Sequence, residues 1–486
     1  MPQLPPSPLI YEINTWPWLA RLTLENGRPV TLGTVPDVEW DAIAESGFHA
    51  VWLMGVWRRS AVGVAIACAD EPLMDWFASA LPDFRSDDVV GSPYCVRDYV
   101  VDDHLGGPDG LAHARRALAD RGVALILDHV PNHVALDHPW VAAHPSWFVT
   151  GDLDDLDREP ESYVLVDGAV IANGRDPYFP AWRDVVQLNA FSPGLRAATL
   201  DTLRQIAGQC DGVRCDMAML MMNDVFARTW GASEATGDVG ASEATGDVGA
   251  SDEFWPGIIA AIRAEVPGFC FIAEAYWGTE PALRAQGFDH CYDKSLYDTL
   301  REDPAGLRAQ LSADPGHQRA LLRFIENHDE PRSAASFGER DELAAVATLT
   351  QLGARLVHDG QLQGRRIRVP VQLGRFPDEP VDAARADFYR GLLAVLRDDA
   401  FAGVEWGLVH GADASDTGVV AAWRRGGRDG EWLVVVNPGD RPATVRLACR
   451  TTGHELSDPL SGESIRVGDD GTVDVSLPAW GRRIYH

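Results

Sequence analysis

The sequence predicts an α/β fold: a closed (β/α)8 TIM barrel with an insertion after its third strand and an antiparallel β-sandwich domain at its C-terminal end. Three observations predict this. Short apolar runs alternate with amphipathic helical segments up to about residue 390. Polar side chains close several of these runs. Beyond about residue 395, short alternating strands are separated by Gly and Asp turns.

Eight apolar runs are the candidate barrel strands. They cover residues 9–16, 49–54, 123–130, 212–217, 269–276, 288–292, 323–329 and 354–359. The segments between them have helical periodicity. Residues 109–121, for example, place Leu111, Ala114 and Leu118 on one face and end before Gly122.

The spacing of the strands predicts the domain boundaries. The third and fourth strands are separated by roughly twice the length of a βα unit, and the intervening segment is rich in Asp, Gly, Pro and aromatic residues. We therefore assign residues 1–133 and 190–392 to the barrel, 134–189 to an insertion domain and 393–486 to the C-terminal all-β domain. The nonamer ASEATGDVG occurs twice over residues 232–249. A duplication inside a loop is the plain interpretation, and a mobile flap beside the fourth strand is the functional one.

Composition excludes several classes of protein. With 72 acidic against 42 basic residues, the formal charge is −30, which argues against nucleic acid as a partner. We find neither an apolar run of the roughly 20 residues that a membrane span requires nor a secretory signal. The seven cysteines are scattered without metal-ligand spacing. We expect a soluble, cytoplasmic protein with reduced thiols and no membrane partner.

Ionisable side chains collect where the strands end. Strand three ends in Asp128-His129-Val130-Pro131-Asn132-His133, strand four carries Arg214 and Asp216, strand five carries Glu274, and strand seven ends in His328-Asp329. Singly, such a carboxylate is more often a helix cap and such a histidine a core residue. Jointly, the groups would repel one another in a single funnel without a chemical purpose, so they predict an active site.

A pair of carboxylates suits the cleavage of glycosidic bonds. Asp216 fits the nucleophile, because Arg214 lies two residues earlier on the same side of the strand and is expected to keep it ionised. Glu274 fits the proton donor, because its apolar neighbours should raise the pKa of its carboxyl group.

The segments DHVPNH, GVRCDMA, FIAEAYW and ENHDE, in this order and spacing, resemble the four sequence blocks of the alpha-amylase family, glycoside hydrolase family 13. The resemblance extends over nearly the whole chain. It implies retaining chemistry on α-glucosidic bonds through a covalent glycosyl-enzyme. The implied roles are Asp216 as nucleophile, Glu274 as acid/base, Asp329 as transition-state stabiliser, Arg214 as partner of the nucleophile, His133 and His328 as ligands of sugar hydroxyls, Tyr94 as the aromatic that stacks on the sugar, and Asp128 as support behind the site.

Three positions bear on substrate and cofactor. Where many endo-acting amylases carry Lys-His after the nucleophile block, this chain has Met219-Leu220, which disfavours a long starch-binding groove. Cys95 stands where many exo-acting α-glucosidases have an acid beside the tyrosine. Asn132 matches a calcium ligand of the family. Calcium therefore stays open, although the site residues require no cofactor and no metal is assigned.

Three functions follow for comparison. The first is a retaining hydrolase of α-glucans or gluco-oligosaccharides. The second is a relative that transfers the glycosyl group to a sugar or phosphate: a transglycosylase, isomerase or phosphorylase. The third, disfavoured because all three catalytic positions are filled, is a non-catalytic barrel subunit. The linkage, the chain length, the acceptor and the oligomeric state stay open.

Overall fold

The structure is a computed structural model that describes residues 2–231, 252–412, 419–427, 430–450 and 452–486. Its strands in chain order are β1 Leu9–Asn14, β2 Ala50–Met54, β3 Trp57–Arg59, β4 Val96–Val101, β5 Ala124–His129, β6 His133–Ala135, β7 Tyr163–Val166, β8 Ala169–Gly174, β9 Trp182–Gln187, β10 Gly212–Cys215, β11 Cys270–Ala273, β12 His290–Tyr292, β13 Leu321–Arg323, β14 Ala354–His358, β15 Trp406–Val409, β16 Ala421–Gly427, β17 Gly430–Val436, β18 Ala443–Ala448, β19 Glu455–Ser457, β20 Ser464–Arg466, β21 Thr472–Leu477 and β22 Arg482–Tyr485. The repeated nonamer at residues 232–249 lies outside the described residues.

The α-helices lie between the strands along the chain, both in the barrel and in its insertions. They are α1 Thr15–Asn26, α2 Asp37–Glu45, α3 Ala61–Ala69, α4 Glu71–Ala80, α5 Gly107–Ala119, α6 Pro139–Ala143, α7 Leu153–Arg158, α8 Pro193–Ala207, α9 Asn223–Trp230, α10 Phe254–Glu265, α11 Glu280–Ala285, α12 Lys294–Glu302, α13 Leu307–Gln310, α14 Pro315–Arg319, α15 Ser333–Ser336, α16 Asp341–Leu349, α17 Ala383–Leu396 and α18 Asp399–Ala402. Within the described residues, no helix is long and apolar enough to cross a membrane.

Eight parallel strands close into a barrel in the order β1-β14-β13-β12-β11-β10-β5-β2, which confirms the predicted fold class. Seven of them fall within the predicted runs. The exception is the seventh barrel strand in chain order: β13 covers Leu321–Arg323, whereas the predicted run began at residue 323. The apolar residues Phe324 and Ile325 are buried beyond the strand, so the chain that carries Asp329 follows the strand as irregular backbone across the barrel rim.

Two segments extend the barrel rim. Between β5 and β10, strands β6, β9, β8 and β7 form an antiparallel sheet, which is the insertion that the sequence predicts. Between β2 and β5, the antiparallel pair β3–β4 and the helices α3 and α4 form a second addition that the periodicity did not reveal. The apolar side chains of α3 and α4 pack against Val369 and Leu373 of the loop after β14.

After α17, the chain forms antiparallel sheets. Strands β15, β16, β17 and β22 make one sheet, and β18 pairs with β21. Alternate side chains of both, including Val435, Val445 and Val475, share one apolar core, as expected for a sandwich. The boundary predicted at residue 392 lies inside α17, and the first strand of the sandwich begins at Trp406.

The seven cysteines all lie among the described residues and are unpaired thiols. Five of them are buried: Cys95, Cys210, Cys215, Cys270 and Cys291. They occupy apolar positions, so they act as small core side chains.

Candidate active site

Strand register brings the two central carboxylates to neighbouring positions on the barrel rim. Strands β10 and β11 are parallel, with Cys215 opposite Ala273. Asp216 and Glu274 directly follow these residues, and the Glu274 amide donates to the Cys215 carbonyl at 3.0 Å. Because the carboxyl ends of parallel barrel strands share one face, these two side chains enter the same funnel.

A single guanidinium group holds both carboxylates. Nη1 of Arg214 donates to Oδ1 of Asp216 at 2.7 Å. Nη2 lies 2.7 Å from Oε2 of Glu274, an ion-pair distance without the alignment of a hydrogen bond. Nε donates to the Tyr292 hydroxyl at 3.2 Å, and the group lies 5.1 Å from the centre of the Tyr94 ring. Arg214 is therefore fixed in a buried position between the two acids.

Glu274 has the environment of a proton donor. Burial raises the pKa of its carboxyl group to about 7, with Arg214 opposing and the negative charge of Asp216 adding to the rise. Oε1 accepts from the Tyr276 hydroxyl at 2.8 Å, and Oε2 accepts from the Met217 amide at 2.7 Å. A carboxyl group with this pKa can both hold and release a proton near neutral pH.

The pKa of Asp216 reflects two opposing influences. Burial raises the pKa of this carboxyl group, while Arg214 lowers it through its charge and its hydrogen bond. Arg214 thus acts in the predicted direction, but desolvation outweighs it. The sequence could place Arg214 beside Asp216, whereas the depth of burial appears only in the folded barrel.

Asp329 belongs to a chain of polar groups through His328. Burial opposes ionisation, but the charge of His328 lowers the pKa of Asp329 to about 2. Oδ2 of Asp329 lies 2.9 Å from Nε2 of His328, and the Tyr94 hydroxyl lies 2.7 Å from the same nitrogen. On the other side, Nδ1 of His328 is 2.5 Å from Oε1 of Glu12. The structure therefore brings Tyr94, His328 and Asp329 together as predicted.

His328 carries a positive charge at neutral pH. Burial lowers its pKa, but the neighbouring carboxylates of Asp329 and Glu12 together raise the pKa to about 10. Glu12 was not among the predicted site residues. An acidic residue inside the apolar run of the first strand was the signal that could have found it, because a buried carboxylate requires a cationic partner.

Asp128 lies behind the site. Its Oδ1 accepts from the Trp52 indole at 3.2 Å, its Oδ2 accepts from the Gly55 amide at 3.0 Å, and its carbonyl accepts from the Trp57 indole at 2.8 Å. Nη1 of Arg214 is 3.9 Å away. Burial raises the pKa of Asp128 to about 6, with Arg214 opposing. Its contacts fix the rim from behind, which matches the supporting position predicted for it.

His133 enters from the insertion side. Its ring packs 5.1 Å from Trp182, and its Nδ1 lies 3.3 Å from the Asn132 amide. Burial lowers its pKa to about 4, so the ring is neutral at neutral pH. A neutral imidazole carries one donor and one acceptor, which suits a sugar hydroxyl.

The carboxylates open into a cavity of about 360 Å³. Tyr94, His133, Asp216, Glu274 and Asp329 line it. Further lining residues that the sequence analysis missed are Ser92, Trp182, Asp184, Tyr276 and Gln372. Trp182 and Asp184 stand two residues apart on β9, so their side chains lie on the same face of the strand. This two-residue spacing near the end of the insertion could have identified them from the sequence.

A larger cavity of about 610 Å³ lies beside Trp277, Asp293 and Lys294. It contains none of the predicted catalytic side chains. The smaller cavity is therefore the candidate active site, because only it combines the three carboxylates with a concave surface.

The calcium position suggested by Asn132 does not fit a cation. Oδ1 of Asn132 accepts from Gln187 at 2.8 Å, and the Asn132 amide lies 3.3 Å from the Gln187 carbonyl oxygen. Gln187 Nε2 is also 3.0 Å from the backbone carbonyl of Asn132. Across the described ranges, no group of three His, Cys, Asp or Glu side chains gathers as a metal site. Oδ1 of Asn132 is already hydrogen-bonded to Gln187, and in the described part of the chain no cluster of acidic side chains stands beside it to supply the further ligands that calcium takes.

The residues that follow Asp216 are turned inward. Met219 and Leu220 lie in a short 3-10 helix, Ala218–Met221, and are buried. Met217, by contrast, lines the cavity with a left-handed backbone, φ 41°. The pair Met219-Leu220 therefore offers no contact surface to a leaving group.

The structure is a parallel barrel of eight strands, with carboxylates after its fourth, fifth and seventh strands and an insertion after its third, and these features define the class of protein as a (β/α)8-barrel protein. The chain is similar to members of the alpha-amylase family. It is 26% identical over 382 residues to the alpha-amylase MalA of Haloarcula japonica, covering 74% of this chain and 49% of that protein. It thus spans about half the length of that curated relative. No family model matches the chain.

Solved structures show the same fold along the full chain. A noncanonic maltogenic alpha-amylase, AmyB of Thermotoga neapolitana, is 19% identical with a TM-score of 0.65, and 99% of this chain and 98% of that chain are covered. An alpha-amylase of Geobacillus thermoleovorans complexed with acarbose is 17% identical with a TM-score of 0.67, at 99% and 98% coverage. The debranching enzyme of Nostoc punctiforme is 16% identical with a TM-score of 0.66, and both chains are covered fully at 100%.

Proposed function

We propose that the protein is a retaining glycosidase that acts on the α-glucosidic bonds of α-glucans or gluco-oligosaccharides. The observation that carries this proposal is the buried Arg214 contacting both Asp216 and Glu274 at 2.7 Å. Two carboxylates on one guanidinium are close enough to act on one bond, and one of them has a pKa of about 7.

In this proposal, Asp216 attacks the anomeric carbon and Glu274 protonates the leaving oxygen. Water then enters, Glu274 takes its proton, and the bond to Asp216 breaks with net retention. Arg214 supports the roles by donating directly to Asp216, which favours its ionised form. The bond from Tyr276 keeps the Glu274 carboxyl group oriented in the cavity.

Asp329 would stabilise the positive charge that develops on the sugar ring. Its lowered pKa of about 2 keeps it ionised at neutral pH. His328, also charged, fixes the Asp329 carboxylate and the Tyr94 hydroxyl from the same nitrogen. We assign Tyr94, His133 and His328 to substrate binding, with the Tyr94 ring as the stacking surface.

The same double displacement can deliver the glycosyl group to another acceptor. The cavity contains four carboxylates: Asp184, Asp216, Glu274 and Asp329. The carboxylates that stay ionised once Asp216 is esterified repel a phosphate dianion but not water or a neutral sugar. This favours hydrolysis or sugar transfer over phosphorolysis. Product analysis with added sugar or with inorganic phosphate tests the choice, and glucose 1-phosphate as the main product would overturn it.

The catalytic assignment is tested with Asp216→Asn and Glu274→Gln. We expect each to lower kcat on an active α-glucoside by at least about 10³-fold, since each removes a group that takes part in bond breaking. Asp201→Asn, an exposed change on α8, is the matched control and should leave kcat unchanged. Near-normal turnover by either active-site variant would refute the assignment. Measurable turnover by the wild type would exclude a non-catalytic subunit.

Retention makes a second, geometric demand. The carboxyl groups of Asp216 and Glu274 should lie roughly 5–5.5 Å apart in a crystal structure with a bound inhibitor. A separation of about 9 Å, which leaves room for a water molecule, would contradict the mechanism. NMR of the first product anomer provides the independent check.

We also propose the domain division and the compartment. The barrel comprises residues 1–133 and 190–392, the insertion 134–189, and the C-terminal domain 393–486. The continuity of α17 through Leu396 favours a boundary slightly later than residue 392. Seven unpaired cysteines support a reducing compartment, the cytoplasm.

A further inference from the structure

The carboxylate of Asp184 lines the candidate active cavity without an ion-pair partner. It projects from β9 of the insertion, half-buried, and no cation of the described residues lies within ion-pair distance of it. The other carboxylates of the cavity have close cationic partners: Arg214 for Asp216 and Glu274, and His328 for Asp329. Asp184 therefore differs from them in having unused hydrogen-bond capacity.

The backbone around Asp184 is tied to the loop that carries Tyr94. The Cys95 thiol donates to the Asp184 carbonyl at 3.1 Å. The neighbouring residue Val185 pairs with Ala135 of β6, and Cys95, Ala135 and Val185 share a small apolar cluster. The strand is thus anchored on both sides, so the position of the Asp184 side chain is set by rigid structure.

The described residues that line the cavity include no Lys or Arg side chain that could pair with Asp184, and the other acidic side chains there carry charge of the same sign. His133 lines the same cavity, but burial lowers its pKa to about 4, so its ring is neutral at neutral pH. Burial also raises the pKa of Asp184, with the His133 interaction opposing. Among the described residues, the Asp184 backbone amide is the one donor that acts on this partly desolvated carboxylate, and hydroxyl groups brought by a ligand would supply further hydrogen bonds.

We propose that Asp184 is a specificity-determining residue that accepts hydrogen bonds from the hydroxyl groups of the sugar unit held beside Tyr94 and His133. This rests on the proposed function and extends it. The insertion thereby supplies a recognition carboxylate next to the position where Cys95 stands. A sugar that carries a negatively charged substituent at the contacted position is excluded by repulsion, whereas a neutral sugar with its hydroxyl in place is bound.

The test combines variants with substrates that lack single hydroxyls. Activity is measured on a nitrophenyl α-glucoside and on its four monodeoxy derivatives, with the wild type, Asp184→Asn and Asp184→Ala. In the wild type, we expect loss of the contacted hydroxyl to lower kcat/KM roughly ten- to hundredfold, as for a hydrogen bond to a charged group. Asp184→Ala should show a similar loss on the parent substrate, chiefly through KM, and no further loss on that one derivative.

The controls separate recognition from stability. Glu161→Gln removes an exposed carboxylate of the same insertion, whose side chain pairs with Arg183 at 3.3 Å, and should leave the deoxy pattern unchanged. The thermal midpoint of Asp184→Asn should equal or exceed that of the wild type, because an unpaired charge is removed. An equal loss on all five substrates, or a lower midpoint with an unchanged deoxy pattern, would overturn the proposal.

Failure of the proposed function gives a different result. If the wild type turns over none of these glucosides, binding of methyl α-glucoside and its deoxy derivatives is measured by calorimetry. Weaker binding to Asp184→Ala that depends on one hydroxyl supports the role of Asp184 even then. Equal affinity of the wild type and Asp184→Ala, or no binding to either, overturns it.

Discussion

Substitution of Tyr276 by phenylalanine is expected to move the pH dependence of catalysis toward higher pH. The Tyr276 hydroxyl donates to Oε1 of Glu274 at 2.8 Å. Burial raises the pKa of Tyr276 well above its ordinary value, so this hydroxyl stays protonated and remains a donor over the working range. A donor to a carboxylate stabilises its ionised form.

The size of the shift follows from the geometry. A hydrogen bond to a charged group contributes about 1.5–3 kcal/mol, and one pKa unit corresponds to about 1.4 kcal/mol. Removing the hydroxyl should therefore raise the pKa of Glu274 from about 7 by roughly one to two units. The sign is fixed, because the lost bond favours only the ionised form while burial, which favours the neutral form, remains.

The assay is the pH profile of kcat/KM, whose basic limb reports the group that must be protonated in the free enzyme. Tyr276→Phe should shift this limb upward and lower the plateau modestly. Tyr99→Phe is the matched control, because its hydroxyl lies 3.1 Å from the Val130 carbonyl and does not contact Glu274. A downward shift, or the same shift in both variants, would refute the role given to Tyr276.

Three further results are expected. The pKa of His328 is raised from 6.5 to about 10, so its charge contributes stability that is fully present below about pH 6.5 and is lost as the pH rises toward 10. The free energy of unfolding, measured with urea, should therefore fall over this window. Glu12→Gln should make this fall smaller. Gly55→Ala should lower the free energy of unfolding by about 1–3 kcal/mol in chemical denaturation, because φ is 76° and a Cβ would lie 2.8 Å from neighbouring side chains. Gly27→Ala is the control: φ is 64°, but a Cβ there meets nothing within 4 Å, so the loss of stability should be smaller. Because Oδ1 of Asn132 accepts a hydrogen bond from Gln187, incubation with a chelator should change neither activity nor thermal midpoint. A clear drop in either quantity would restore calcium as a candidate ligand.

The arrangement of the central residues could be predicted from sequence because it depends on strand ends. Arg214 lies in the fourth barrel strand, and Asp216 and Glu274 directly follow two adjacent parallel strands, so the order along the chain fixes which side chains are neighbours in space. The same reasoning located Asp329 at the rim. It misplaced the seventh strand, because buried apolar residues in irregular backbone have the same composition as a strand.

Other parts of the site depend on contacts between segments that are far apart in sequence. Asp184 lies on an insertion strand, and Gln372 comes from the loop after the last barrel strand. Glu12, in the first strand, meets His328 across 316 positions of chain. Neither periodicity nor a short motif encodes such contacts. The extent of desolvation at Asp216 also required the folded barrel, since it depends on every segment packed around the rim.

The placement of Arg214 between two acids has a consequence for the order of proton transfers in the proposed mechanism. Once Asp216 forms an ester with the sugar, its negative charge disappears, and with it the repulsion that helps to raise the pKa of Glu274. Of the two reacting carboxyl groups, the guanidinium then acts on Glu274 alone. Both changes lower the pKa of this carboxyl group, so the proton donor of the first half-reaction becomes a proton acceptor when water arrives. The contact of Arg214 with both carboxyl groups thus lets Glu274 change from proton donor to proton acceptor and back in each turnover.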